Sequence, residues 1–256
     1  MSSTPPPAAS ATIAVVGAGR LGRVLAQALE AAGYTVHGPL RRRQGIPDAD
    51  IVLLCVPDSA IPDVAADARP RARLVGHVSG ATPLTHVDFS VHPLQTFTGR
   101  EGPEAFRGIG VAIDGRTRTA RKTAERLALA LGAKPFIVDD AHRASYHAAA
   151  SFASNFVLTV LDAAEHLGRD AGLDRAHLAP LVRQTVDNWL AHGASNALTG
   201  PLTRGDEATV ERQRAAASAL DLAPLFDALA TATREIAARS ADGDAPVHLT
   251  PAKDPA

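Results

Sequence analysis

The feature that most constrains this chain is a glycine-rich turn between a strand pattern and a helix pattern, within residues 12–38. Residues 13–16 form a short apolar run, typical of a strand buried on both faces of a parallel sheet. The motif GAGRLG follows at residues 17–22, and apolar residues then recur at helical spacing up to Gly33. A second strand pattern comes next. This order is the dinucleotide-binding fingerprint in its required context, and it predicts a doubly wound parallel α/β domain.

Each glycine of the motif has its own physical task. Gly17 permits the tight turn, Gly19 lets the backbone approach the pyrophosphate, and Gly22 lets the helix pack close to the strand. The pyrophosphate is expected on the free N–H groups at the start of the helix, where Arg20 and Leu21 lie. These five residues are therefore predicted to bind the cofactor.

The residues after the second strand indicate NADP(H) as the cofactor. NAD-preferring sites usually carry an acidic residue near the end of this strand, which binds the ribose 2′-hydroxyl. The segment 36–38 contains no acid, and Arg41, Arg42 and Arg43 follow it. Arginine matches a 2′-phosphate in charge and geometry. A solvated basic loop is the alternative.

The connection to the next strand pattern is short for a parallel crossover. About ten residues separate the two strands, whereas a crossover usually needs a dozen or more. We therefore expect the strand–helix unit common at this place to be missing or reduced to a loop.

Three further strand patterns end in residues that suit a ligand site. Ligands of open α/β sheets bind at the carboxyl ends of strands. Such ends are predicted at Val56-Pro57, at Ser79-Gly80 and at the residue pair that begins with His92. We assign Val56, Pro57, Ser79 and Gly80 to the cofactor and His92 to catalysis.

The pattern changes after Asp140, and no strand signal returns before residue 240. This change predicts two domains, an α/β dinucleotide-binding domain over residues 11–140 and an all-helical domain over residues 141–240. The first helix of the second domain is predicted over residues 141–167. It is apolar on most of its circumference, so it is expected to be buried between neighbours.

A polar stripe crosses that predicted helix. His147, Ser151 and Asn155 stand at positions i, i+4 and i+8, which places them on one face. Small uncharged polar groups on a buried helix favour a face that lines a cavity, and we assign all three residues to catalysis. A set of hydrogen-bonded core residues is the alternative.

A shaped polar segment near residues 196–206 provides candidates for substrate binding. It holds Thr199, Arg204 and Asp206 among two glycines and a proline. Arg204 suits a substrate carboxylate. Asp206 is also predicted to cap the following helix, with Thr209 at the third position.

The composition of the chain limits the kinds of partner and location that we expect for it. A net charge of −1, with 46% hydrophobic and 21% charged residues, gives no support for nucleic-acid or membrane partners. The single cysteine excludes an intrachain disulfide and fits a cytoplasmic location. No stretch approaches the ~18 apolar residues of a membrane span, and no metal site is predicted. Residues 1–10 are predicted to be a disordered leader and residues 241–256 a flexible tail.

Six motifs between residues 17 and 206 resemble one protein family, and the resemblance covers residues 12–239: GAGRLG, LLCVPDSAI, HVSGA, VHPLQTF, YHAAASFASNF and LTGPLTRGD. They are similar to Rossmann-like proteins with a C-terminal DUF2520 domain, in the 6-phosphogluconate-dehydrogenase-like group. That group includes ketopantoate, pyrroline-5-carboxylate and prephenate oxidoreductases. The resemblance implies an N-terminal NAD(P) domain, an all-helical C-terminal domain, a homodimer that shares its helical part, and a reductase or dehydrogenase activity. Ketopantoate reduction is the leading specific expectation.

The chain departs from these relatives at the proton donor. In β-hydroxyacid dehydrogenases a lysine precedes an asparagine by four residues on the first helix of the helical domain. Here Ser151 precedes Asn155, and His147 is the nearest proton donor. Prephenate dehydrogenases use a serine after one strand and a histidine in a His-Pro motif after the next, and Ser79 and His92 resemble those two. His147 and His92 therefore remain alternative donors.

The sequence thus predicts an NADP(H)-dependent reductase of a small 2-oxo acid or a cyclic imine. A histidine with a pKa near its ordinary value of about 6.5 would supply the proton. A nucleotide-binding sensor without turnover is the alternative, because dinucleotide-binding domains serve both purposes. A homodimer through the helical domain is expected, since its helices are too apolar for one small bundle layer to cover.

Overall fold

A computed structural model describes residues 11–241. The predicted leader lies outside the described residues, as does the predicted tail after Ala241. The strands are β1 (Thr12–Val16), β2 (Thr35–Leu40), β3 (Ala49–Leu54), β4 (Ala72–His77), β5 (Phe89–Pro93), β6 (Gly110–Gly115) and β7 (Lys134–Ile137). The helices are α1 (Arg20–Ala31), α2 (Ile61–Ala68), α3 (Arg118–Ala130), α4 (Arg143–Ala153), α5 (Asn155–Asp170), α6 (Arg175–Ala197), α7 (Pro201–Arg204), α8 (Glu207–Ser218) and α9 (Ala223–Ala241).

The seven strands form one sheet in the order β2-β1-β3-β4-β5-β6-β7. The predicted α/β architecture is confirmed, but the sheet is not parallel throughout. Strands β5 and β6 pair in antiparallel register, with Phe89 opposite Gly115. The connection between them, residues 94–109, holds only a four-residue 3-10 turn at Pro103–Phe106. An antiparallel pair needs no crossover helix, so this connection is compatible with the reversal of direction.

Strand β1 is buried on both faces, as its apolar run predicts. Ile13 and Val15 pack with α1 and α3 in one core cluster. Ala14 and Val16 pack with α2 in the other. Side chains alternate between the two faces of a strand, so a central strand that is apolar at every position joins both layers.

The connection from β2 to β3 contains no helix. It consists of residues 41–48, and the backbone N–H of Arg41 donates to the side-chain oxygen of Gln44 within it. Arg43 adopts a φ of 69° in the same turn. The expected reduction of this crossover to a loop is confirmed.

The chain divides into two compact units, which meet in sequence between Asn155 and Phe156. The first unit contains the sheet with α1 to α4, and the second contains the helices from α5 onward. The boundary predicted after Asp140 precedes α4, and it stays a prediction. No helix among residues 11–241 has the length and apolar character needed to cross a bilayer.

The prediction of one continuous helix over residues 141–167 is wrong. Helix α4 ends at Ala153 and α5 begins at Asn155, because Ser154 has non-helical dihedral angles (φ −133°, ψ −77°). The hydroxyl of Ser154 donates to the side chain of Asn155 at 3.3 Å. Serine and asparagine favour helix ends because such local bonds compete with the helical ladder.

The rest of the described chain does not bury that region. Phe152 of α4 is 69% exposed and Leu158 of α5 is 63% exposed. The sequence pattern identifies an apolar helix surface correctly but does not tell whether the rest of the chain covers it.

Candidate active site

The GAGRLG motif forms a turn in which each glycine has the surroundings its predicted task requires. Gly17 has a φ of 116°, and a Cβ there would lie 2.2 Å from the carbonyl oxygen of Cys55. A Cβ at Gly22 would lie 1.9 Å from the carbonyl oxygen of Gly17, whereas one at Gly19 would meet nothing within 4 Å. Two glycines therefore allow close internal packing, and Gly19 leaves open space beside the backbone. This turn fits the pyrophosphate of a dinucleotide.

The start of α1 keeps its backbone donors free. Gly19 is the N-cap, it supplies no side-chain hydrogen bond, and the first helical turn, which begins with Arg20 and Leu21, contains no acidic residue. The first N–H groups of a helix lack partners within the helix, and the helix dipole favours an anion there. Arg23 donates from Nε to the carbonyl oxygen of Ala18 at 3.0 Å and so fixes the turn.

The arginines after β2 are exposed, and no acidic side chain in the described part of the chain pairs with their charges. Arg41, Arg42 and Arg43 form no ion pair with any residue between 11 and 241. They are therefore available to an external anion such as a 2′-phosphate.

The strand-end residues assigned to the cofactor fall into two groups. Val56 packs against the core cluster of α2, and the exposed Pro57 precedes a 3-10 turn. The hydroxyl of Ser79 accepts the N–H groups of Ala81 and Thr82 at 3.1 and 2.9 Å, and it also bonds the Thr82 hydroxyl at 3.0 Å. The Ser79 hydroxyl thus stabilises its own turn, Ser79 and Gly80 are both buried, and cofactor binding by these four residues stays a prediction.

The ring of His92 lies on Gly80. A Cβ at Gly80 would stand 2.9–3.0 Å from three ring atoms of His92. The Nδ1 atom of His92 is 2.5 Å from the hydroxyl oxygen of Tyr146, and the two rings meet edge to face with centroids 5.5 Å apart. The ring of His147 is 6.4 Å from that of His92. The structure therefore brings the two predicted proton donors together, with a tyrosine beside them.

Helix α4 is fastened to the sheet by a buried arginine. Arg143 is 4% exposed. Its Nη2 donates to the Ser90 hydroxyl at 2.7 Å, and its Nε donates to the Asp140 carboxylate at 2.6 Å. Asp140 in turn accepts the N–H of Leu84 at 3.1 Å. Since Tyr146 follows Arg143 by about one helical turn, these bonds fix the position of its hydroxyl.

Burial shifts the acid–base properties of this cluster. Burial lowers the pKa of His92 to about 4, helped by the nearby charges of His147 and Arg143 and opposed by Asp58. Burial also raises the pKa of Tyr146 to about 12. Both groups are therefore neutral at neutral pH. The expectation of a histidine with a pKa near 6.5 does not hold for His92.

A second buried histidine, His77, lies at the end of β4. It has no exposed surface, and neither ring nitrogen has a hydrogen-bond partner within the described chain. Burial, with a contribution from Arg143, lowers the pKa of His77 to about 4. An imidazole in such surroundings stays neutral because water cannot reach it.

The predicted polar stripe is interrupted. Ser151 donates to the carbonyl oxygen of His147 at 3.1 Å, as expected one helical turn away. Asn155 lies beyond the break at Ser154, so the spacing i+8 no longer places it on the face of His147. The idea of one continuous face is wrong. The catalytic roles of His147, Ser151 and Asn155 stay predictions.

The loop after β5 returns to the glycine turn. Glu101 accepts the N–H groups of Thr98 and Gly99 at 2.8 and 2.9 Å and the Thr98 hydroxyl at 2.7 Å. These bonds lower the pKa of Glu101 to about 2. A Cβ at Gly99 would lie 3.2 Å from the Cα of Arg20, so the loop that leaves His92 borders the start of α1.

In the second unit, the predicted substrate segment is a short helix between two glycines. Thr199 is exposed before Gly200, and Arg204 is exposed at the end of α7. Asp206 caps α8 by accepting the N–H of Thr209 at 3.1 Å, which confirms the predicted cap. Substrate binding by Thr199, Arg204 and Asp206 stays a prediction.

Sequence reasoning missed four polar residues of this site. Tyr146 directly precedes His147 inside a recognised motif, so the sequence could have identified it as a candidate site residue. Arg143, Ser90 and Glu101 carry no pattern of their own, because their partners lie on other strands or in a loop. Only the folded chain brings these groups together.

Comparison with solved structures shows the fold. BF3122 from Bacteroides fragilis, provisionally named an NADP oxidoreductase, is 22% identical, with a TM-score of 0.78 over 89% of this chain and 99% of that chain. TM1727 from Thermotoga maritima is 23% identical, with a TM-score of 0.71 over 90% and 99%. Pyrroline carboxylate reductase from Plasmodium falciparum, solved with NADP bound, is 12% identical, with a TM-score of 0.56 over 89% and 98%.

No match was found among curated protein sequences. Residues 109–233 match the family described as a domain of unknown function, DUF2520. The matched range begins just before β6 and ends within α9, so it includes the last two strands of the sheet as well as the helices. The match to DUF2520 thus covers just under half of the chain, and the fold as a whole is similar to that of the solved structures.

Proposed function

We propose that this protein is an NADP(H)-dependent oxidoreductase that reduces a small 2-oxo acid, with a cyclic imine as the second substrate class. The observation that carries the proposal is the pairing of two features at the carboxyl edge of one sheet. The open glycine turn follows β1, and His92 with its tyrosine partner lies at the end of β5. Three strand spacings separate β1 from β5, roughly 14 Å, so an extended ligand is needed to reach both.

In this proposal, different residues of the chain bind the cofactor and face the substrate. Gly17, Gly19 and Gly22 with the start of α1 would hold the pyrophosphate, and the nicotinamide would supply the hydride. His92 would face the reacting oxygen of the substrate. Names of solved structures with this fold, including an NADP-bound reductase, support the analogy.

The cofactor preference is assigned to the arginines after β2. Alanine at both Arg41 and Arg42 should weaken NADPH binding by more than tenfold and NADH binding by less than threefold, since only NADPH carries the 2′-phosphate, and each tenfold change is about 1.4 kcal/mol. Isothermal calorimetry measures both affinities. Arg118→Ala, another exposed arginine, is the matched control and should change neither. Equal losses for the two cofactors would contradict the preference.

The substrate class is tested by turnover. Purified protein with NADPH is offered ketopantoate, other 2-oxo acids and cyclic imines, and the loss of reduced nicotinamide is followed. We expect oxidation with at least one small 2-oxo acid, with Arg204→Ala raising KM if that side chain binds the carboxylate. Tight NADPH binding with no turnover across the panel would contradict the proposal and favour a sensor.

A further inference from the structure

The hydroxyl of Tyr146 lies next to His92, the candidate proton donor, and can replace a proton that His92 gives up. The Tyr146 hydroxyl lies 2.5 Å from Nδ1 of His92, which is a short hydrogen bond. Packing fixes both rings. Gly80 supports the imidazole from one side, and Phe136 meets the tyrosine ring at a centroid distance of 6.0 Å. The hydrogen bond is thus part of a fixed geometry rather than a contact between mobile side chains.

The second nitrogen of the imidazole is left for a ligand. Nε2 of His92 has no hydrogen-bond partner between residues 11 and 241. It is not among the buried unpaired atoms either, unlike both nitrogens of His77. An imidazole with one nitrogen held by the protein and the other accessible is arranged to interact with a bound molecule through the free nitrogen.

The charges around His92 decide which atom carries the proton. Tyr146, His147 and Arg143 face it from α4, His77 from β4, and Asp58 from the turn after β3. With a pKa of about 4, His92 is an imidazolium in roughly one molecule per thousand at pH 7. The phenol keeps its proton, since its pKa is about 12. The phenol is the stronger acid and the imidazole nitrogen the stronger base, so Tyr146 donates to Nδ1 and the imidazole proton lies on Nε2.

We infer that Tyr146 is the proton source of the reaction and that His92 passes the proton from Nε2 to the oxygen of a carbonyl substrate. The inference rests on the proposed function and narrows its substrate class. Hydride addition to a carbonyl leaves an alkoxide that must be protonated. Hydride addition to an iminium ion gives a neutral amine and needs no further proton. A built proton source therefore fits a ketone or aldehyde and, among imines, only one that binds without its own proton.

The step balances in atoms and charge. The hydride brings an electron pair to the carbonyl carbon, and the former π pair moves to oxygen. The Nε2–H bond breaks as the new O–H bond forms, while the Tyr146 O–H bond breaks as an Nδ1–H bond forms. A tyrosinate remains and takes a proton from water. The transfer runs downhill, because an alkoxide has a basicity near that of hydroxide, whose conjugate acid has a pKa of about 15.7, above the phenol's value of about 12.

The first test uses the free protein and needs no turnover. Nitrogen-15 NMR of the histidine rings reports which nitrogen carries the proton. We expect wild-type His92 to hold its proton on Nε2, with Nδ1 shifted by an accepted hydrogen bond, across pH 6–9. Tyr146→Phe should remove that shift at Nδ1. Identical His92 resonances in the two proteins would overturn the inference.

The second test distinguishes the loss of the Tyr146 hydroxyl from a general loss of structure. Tyr34, before β2, is the other tyrosine of the chain and serves as the matched control. Tyr146→Phe should lower kcat about 10²–10⁴-fold, with NADPH affinity unchanged, and Tyr34→Phe should leave kcat unchanged. In the Tyr34→Phe protein, absorbance of the ionised phenol should titrate with a pKa of about 12. Equal kcat values for the two variants would overturn the inference.

The third test uses pH and the neighbouring histidine. A pre-formed imidazolium donor would make kcat fall tenfold per pH unit above pH 5, whereas the relay keeps kcat level through neutral pH. His147→Ala should lower kcat less than Tyr146→Phe does, and it should raise the pKa of His92 by removing a nearby charge. A kcat that falls steadily above pH 5 would overturn the relay. Failure of the proposed function is recognised separately, as wild-type protein that binds no NADPH or that binds NADPH without turning over any substrate of the panel.

Discussion

The sheet unit and the helical unit cover their apolar side chains to different extents. In the sheet unit the strands and the helices beside them bury two continuous clusters. In the helical unit the buried apolar residues, within the described chain, are Val210, Ala217 and Ala230. Large side chains there remain open to solvent, among them Trp189 at 55% and Leu190 at 69%.

This difference indicates which contacts stabilise each unit. Strands β1 to β6 and helices α1 to α3 of the sheet unit bury most of their apolar side chains against one another, so the free energy of unfolding of that unit depends on internal packing. The helical unit leaves an apolar surface of the kind that marks an interface. We propose that a second copy of the chain covers it. The predictions that follow test this contrast, from the largest expected effect to the smallest.

Truncation of a sheet-core side chain should have the largest effect. Phe89 is fully buried, and its ring fills the space beside Gly76. Phe89→Ala should lower the free energy of unfolding by about 3–5 kcal/mol, measured by urea denaturation. Leu181→Ala, at a site 67% exposed in the helical unit, should cost under about 0.5 kcal/mol at concentrations where the chain is monomeric. Similar losses of unfolding free energy for both variants would show that the two units do not differ in internal packing.

Acid should destabilise the sheet unit through His77. Its folded pKa is about 4 and its ordinary value 6.5, so between these pH values only the unfolded chain binds the proton. The free energy of unfolding should therefore fall by about 3 kcal/mol as pH drops from 6.5 to 4, with no contribution above 6.5. His77→Leu should remove this part of the loss in urea titrations at pH 7 and pH 4.5. The same pH dependence in both proteins would show that His77 is not responsible.

A charge placed on the helical unit should break the proposed dimer. Trp189→Glu removes an exposed aromatic ring from α6 and should weaken association by about 2 kcal/mol, close to thirtyfold in Kd. Light scattering should give twice the chain mass of 26.5 kDa for the wild type and the single mass for the variant at micromolar concentration. A wild-type monomer would refute the dimer and leave the apolar face unexplained.

Loss of one helix cap should have the smallest effect. The Thr117 hydroxyl accepts the N–H of Ala120 at 3.1 Å and begins α3 in the sheet unit. Thr117→Ala should cost about 1 kcal/mol in urea denaturation, and Thr117→Ser, which keeps the hydroxyl, should cost much less. If serine and alanine cost the same, the loss comes from packing of the methyl group and not from the cap.

Much of the sheet unit was predictable because its signals are local. Apolar strands buried on both faces, such as Ile51–Leu54, stand out as continuous runs, and Gly17 and Gly22 of the first turn have a steric reason. The direction of β6 has no such signal, since antiparallel and parallel strands share the same residue types. The connection at residues 94–109 contains no crossover helix, but neither do the connections from β2 to β3 and from β4 to β5, whose strands are parallel. A missing helix therefore does not identify the direction.

The site was predictable only in part, for a similar reason. Histidines at strand ends and in recognised motifs identified His92 and His147 as candidate proton donors. The tyrosine hydroxyl, the Arg143 bonds and the break at Ser154 depend on partners brought together by folding. Burial also reverses the expected protonation of His92, and a sequence alone does not give the burial of a ring.

The break at Ser154 has a consequence for how this protein can change over evolutionary time. The glycine turn, Gly80, His92 and Tyr146 all precede the break and lie in one compact unit, whereas Thr199 and Arg204 follow it in the other. Substitutions after residue 155 therefore fall outside the unit that fixes the distance from the Tyr146 hydroxyl to Nδ1 of His92. The second unit can diverge in sequence while the internal bonds that hold this pair stay the same.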